Sequence, residues 1–150
     1  MKTLVLLGAV VLIATPAGAA EGTPPPGRIA STEMTSSGQP IRPPFGRIQV
    51  TATIAEIGPD ATTPVHKHPF PRFGYVLAGR LQVTNLETGK VVIYETGQFA
   101  VDPVGQWHQG HALDGKGVRL LVIDQTPPGQ SNMVDRDPPP KPQAAPGAGQ

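Results

Sequence analysis

Cysteine is absent from the sequence. No disulfide can therefore brace the fold, and no thiolate can act as nucleophile or metal ligand. Aromatic residues are few (one Trp, two Tyr and four Phe), and the formal net charge is only +1. There is no basic cluster interleaved with aromatics, which argues against nucleic acid as a partner. A glycine-rich phosphate loop is missing, as is the Gly-X-Ser-X-Gly elbow that presents a nucleophilic serine; Ser131 stands in a proline-rich segment instead. The apolar run Leu4 to Ile13, broken by Gly8, is far short of the roughly 20 residues that span a bilayer.

Glycine and proline are plentiful, at 18 and 19 residues, and they divide the chain. Residues 1–20 combine a short positive start, the apolar run and the small residues Ala17 to Ala20. That is the three-part pattern of a secretory signal peptide, with cleavage expected after Ala19 or Ala20. The expected location is periplasmic or secreted, with no stable membrane insertion once the segment is removed. Residues 21–44, with Pro24-Pro25-Pro26, read as a flexible extended arm. Ile41 and Phe45, at its end, are expected to seek cover against the folded domain. Residues 126–150 are rich in proline and poor in anything to bury, and read as a disordered tail.

The 45–125 segment between them is a single domain made of short strands. From Arg47 to Ile57 the residues alternate, with Ile48, Val50, Ala52 and Ile54 on one face, the pattern of a half-buried strand. Gly58-Pro59-Asp60 ends it. Phe73 to Leu77 is a short apolar strand stopped by Gly79, and Arg80 to Leu86 alternates again. Glu87-Thr88-Gly89-Lys90 is a hairpin turn answered by Val91 to Tyr94, and Val118 to Ile123 is the last strand. No helical period follows the signal segment, so the fold class is all-β.

Three of the four histidines occur where a site could form. His66 and His68 are two residues apart, so in a strand both imidazoles share a face. Neutral imidazole is a favoured ligand for divalent transition metals. His108 stands in a second patterned segment. His111 falls on the opposite face from His108 by strand parity, as does Trp107; a Trp107 on an exposed sheet would point to a homodimer contact.

That second segment, Gly97, five residues, Pro103, one residue, Gly105, two residues, His108, resembles the second motif of the cupin family without a mismatch. His66, His68 and Gly79 fit the family's first motif. At the position of that motif's Glu stands Arg72, Gly58 lies two residues farther upstream than usual, and Ala112 takes the place of a frequent closing Asn. The resemblance implies a double-stranded β-helix, a jelly-roll barrel over residues 45–125, with His66, His68 and His108 as ligands of Fe, Mn, Zn, Ni or Cu. It further implies a small-molecule ligand and chemistry like that of small dioxygenases or isomerases. With the carboxylate missing, a non-catalytic binding or sensing cupin, or a structural barrel with a degenerate site, is the alternative. Guanidinium has no lone pair to give a metal. Turned inward, Arg72 would hold an anionic substrate by a bidentate pair; turned outward, it would meet only water. Pro69 and Pro71 interrupt the strand before it, so parity leaves both readings open.

Overall fold

The structure, a computed structural model, describes residues 27–136. The expected signal peptide, the first part of the arm and the end of the tail lie outside the described residues. Nine strands follow one another: β1 (Gln49–Ile57), β2 (His66–Lys67), β3 (Arg72–Ala78), β4 (Arg80–Asn85), β5 (Val91–Glu95), β6 (Phe99–Val101), β7 (His108–Ala112), β8 (Val118–Thr126) and β9 (Val134–Asp135). There is no helix among the described residues, and so none long and apolar enough to cross a membrane. The strands form two antiparallel sheets, in the orders β1-β8-β3-β6 and β5-β4-β7-β2-β9. The all-β jelly roll expected from the sequence is the fold observed.

Local chemistry accounts for the corners. At the β4–β5 hairpin the Asn85 side chain accepts the backbone N–H groups of Glu87 and Thr88, and Gly89 takes a positive φ of 72°. Gly79, also at positive φ, lies so close to the Gly117 carbonyl oxygen that a Cβ there would collide with it. Just before it, a register shift between Val76 and Ala78 leaves Leu77 half outside the β3–β8 ladder. The core lies between the sheets, where Val76, Leu81, Val83, Ala112 and Val118 form one buried cluster.

Three expectations are corrected here. The alternation of β1 is real, but its apolar face points outward: Val50 and Ile54 are 59% and 45% exposed, while Ala55 and Ile57 line the interior. Gln49 to Ile54 are exposed on both faces, as suits a strand at the edge of its sheet, and only Ala55 and Ile57 reach inward. Phe45 finds no cover and is fully exposed. The part of the arm that docks is earlier: Thr35 is buried, the Gln39 amide donates to the Val104 carbonyl, and its oxygen accepts the Val104 N–H. Finally, the loose tail does not begin at Thr126. Residues 126–136 fold back onto the barrel, with β9 pairing with β2 and Asn132 buried. Their ordering comes from polar contacts, which a search for apolar residues does not detect.

Candidate metal centre

His66 and His108 are direct partners across the β2–β7 ladder, so their side chains rise from adjacent strands on the same face. His68 follows β2 and is held by a parallel bridge to Val104. The three rings gather with centroids 4.6 to 4.9 Å apart, and one nitrogen of each lies within 4.8 Å of the others. All three residues are buried. The structure thus brings His66, His68 and His108 together. His111 is elsewhere, bonded through Nδ1 to the Thr62 hydroxyl at 2.9 Å. Trp107 is half-buried under the Lys67 ammonium, 4.5 Å from the ring centre, and does not form an exposed patch.

The orientation of the rings carries the chemistry. His66 Nδ1 meets the Pro64 carbonyl at 2.7 Å, His68 Nδ1 the Asn132 carbonyl at 2.6 Å, and His108 Nδ1 the Gln106 carbonyl at 2.9 Å. A carbonyl can only accept, so each Nδ1 must carry the hydrogen. Each Nε2 is then a free lone pair aimed into the interior. His68 Nε2 is buried with no hydrogen-bond partner. A buried acceptor left unpaired costs about 1–3 kcal/mol, and a bound cation would supply what is missing. A backbone carbonyl on the remote nitrogen is the arrangement that fixes tautomer and direction in metal-ligating histidines. Burial, partly opposed by the bond to Pro64, lowers the pKa of His66. Burial likewise lowers that of His108, and carries that of His68 down to about 2 with help from Arg72. The imidazoles are therefore neutral at pH 7, as ligands must be. The donor set fits a divalent transition metal.

The lone pairs open on a cavity of about 180 Å³ between the sheets. Its apolar lining includes Val76, Leu81, Val83, Leu120 and Val122. Arg72 and Asp102 line it as well. Arg72 points inward, but its Nε and Nη2 each donate to an Asp124 carboxylate oxygen at 2.8 Å. The bidentate pair spans directly opposed residues of β3 and β8 and offsets the guanidinium charge beside the histidines.

Sequence reasoning missed three contributors. Asp124 is the inward residue at which β8 meets Arg72. Asn132 accepts His68 Nδ1 with its carbonyl, takes the Phe70 N–H on its side-chain oxygen and donates Nδ2 to Asp124 at 2.6 Å. Asp102 sits between β6 and the buried Pro103, its Oδ2 3.5 Å from His68 Nε2. Burial pushes its pKa up to about 6, with Arg72 pulling the other way. The parity of Asp102 with Ala100 and of Asp124 with Val122 was a usable signal; nothing in the sequence around Asn132 marked it.

A family model described as a cupin domain matches residues 53–124. Among solved structures, the polyketide cyclase RemF from Streptomyces resistomycificus aligns at 23% identity with a TM-score of 0.51, over 70% of this chain and 72% of that one. The Ruegeria pomeroyi DMSP lyase DddQ aligns at 20% identity and TM-score 0.51, over 58% and 43%. The Lactobacillus farciminis oxalate decarboxylase, solved as its formate complex, aligns at 20% identity and TM-score 0.50, over 58% and 26%. The chain thus spans less than half of the latter two, and likeness at this level describes the fold. No protein of curated function matches the sequence.

Proposed function

We propose that this chain, whose residues 53–124 match a cupin-domain model, is an exported metal-binding cupin whose three-histidine centre acts on a small anionic molecule held in the barrel. The observation that carries this reading is the set of three Nδ1–H groups tied to backbone carbonyls, which turns three buried lone pairs toward one point. A divalent metal held there by His66, His68 and His108 would supply Lewis acidity toward a carboxylate or carbonyl.

The chain's own residues do the rest. The cavity of about 180 Å³ admits a molecule of a few non-hydrogen atoms, not a macromolecule. Its mostly apolar lining lowers the local dielectric, which strengthens electrostatic interactions beside the histidines. Arg72 adds a positive edge to that end, although Asp124 occupies two of its donors, so it orients an anion rather than binding one alone. Export rests on the residues 1–20 pattern.

Elemental analysis of protein purified without a histidine tag tests the proposal. We expect about one equivalent of a transition metal per chain, lost in His66→Ala. Protein that stays metal-free after growth and refolding with iron, manganese, zinc, nickel and copper would overturn it.

A further inference from the structure

Asp102 is an acceptor with nothing to accept. Its side chain lines the cavity and makes no hydrogen bond among the described residues. The other polar residues there are engaged: Arg72 gives Nε and Nη2 to Asp124, Thr63 Oγ1 takes the Gly110 N–H, and Glu56 pairs with Arg119. Asp102 Oδ2 stands 3.5 Å from His68 Nε2. His68 carries its hydrogen on Nδ1, so neither atom can donate to the other. Asp102 is also outside the group of ligand atoms within 4.8 Å of one another, which contains His66, His68 and His108 alone. It therefore faces whatever the centre holds rather than the ion itself.

Charge narrows what that is. The imidazoles are neutral and Asp124 cancels Arg72, so a divalent ion and Asp102 together leave one positive charge. In a mostly apolar cavity of about 180 Å³, one negative charge on the bound molecule restores neutrality, and an excess is costly. A second carboxylate on that molecule would be repelled by Asp102. A hydroxyl would instead give Asp102 the hydrogen it lacks, in a charge-assisted bond. The remaining lining, with Val76, Leu81 and Leu120, suits a small aliphatic group.

We propose that the centre takes a short monocarboxylate with a hydroxyl on the adjacent carbon, and that Asp102 selects it by accepting the hydroxyl hydrogen. The inference deepens the three-histidine reading and rests on it. Asp102 is a specificity residue here and does not bind the ion.

The test loads the full chain with Zn²⁺ and follows heat on titration with lactate, propionate, 2-methoxypropionate and malonate. Propionate lacks the hydroxyl, 2-methoxypropionate keeps its oxygen without the hydrogen, and malonate puts a second carboxylate there. We expect lactate, in one of its enantiomers, to bind at least about 10-fold more tightly than each of the others. In zinc-loaded Asp102→Leu, close in shape but without an acceptor, lactate and 2-methoxypropionate should bind alike. A lactate preference that stays above about 10-fold in that variant would belong to the ion alone and would overturn the proposal. A smaller preference in the wild type, or no binding of any of the acids, would also overturn it and leave the three-histidine centre standing. Failure of the wild type to take up Zn²⁺ would overturn both readings. If Asp102→Leu does not fold, Asp102→Ala replaces it; if neither folds, the wild-type series decides.

Discussion

On the five-stranded sheet, His66 and His108 stand opposite each other, each with its Nδ1–H tied to a carbonyl two residues back. On the four-stranded sheet, Arg72 and Asp124 stand opposite each other in the same way, joined by two ionic hydrogen bonds, with Asp102 nearby. One wall of the cavity presents neutral donors and the other presents charge. The neutral wall carries its donors in two short motifs, so the sequence reveals them even though strand pairing brings them together. The charged wall is built by pairing between strands 52 residues apart, so only the fold reveals it. Charge beside imidazoles is tolerable only if it is balanced, and Asp124 provides the balance for Arg72.

The strongest way to break this division is Arg72→Met, which leaves the Asp124 carboxylate partly buried and without its cation. A loss of about 3 kcal/mol is expected, read from urea denaturation of the metal-free protein, with most of it regained in Arg72→Met/Asp124→Leu. A loss below about 0.5 kcal/mol would mean that solvent screens the pair as it does on a surface, and the charged wall would not be a distinct environment. Asn132→Ala sharpens the comparison, because Asn132 touches both walls: its carbonyl holds His68 and its amide holds Asp124. Stability should fall by about 1–2 kcal/mol, and metal affinity by about 10-fold, measured by calorimetry. Unchanged affinity would show that the carbonyl at 132 keeps its place on His68 without the side-chain bonds to Phe70 and Asp124. Ile54→Thr, on the outward face of β1, should change stability by less than about 0.5 kcal/mol. A larger loss in thermal melts would show that this face is covered in solution.

The jelly roll and the histidine triad were legible in the sequence because turn chemistry and two-residue periodicity are local. Gly79, Gly97, Gly105 and the His66/His68 pair need no knowledge of distant partners. Direction was less legible. In β4 the apolar residues Leu81 and Val83 face the core, while in β1 a similar alternation puts Val50 and Ile54 outside. A single strand cannot say which side its neighbours will fill. Arg72 was undecided for the same reason, since Asp124 fixes it. Asn132 was invisible because its role belongs mostly to its backbone carbonyl, which every residue has.

The bond from His68 to the Asn132 carbonyl has a consequence for maturation. The centre is completed by a residue 64 positions downstream of the ligand it orients. A nascent chain can form most of the barrel before that strap arrives, yet the third ring acquires its direction only afterwards. On the proposed function, a chain cut short before residue 132 would retain its histidines without their common aim, and would take up metal more weakly than the longer chain.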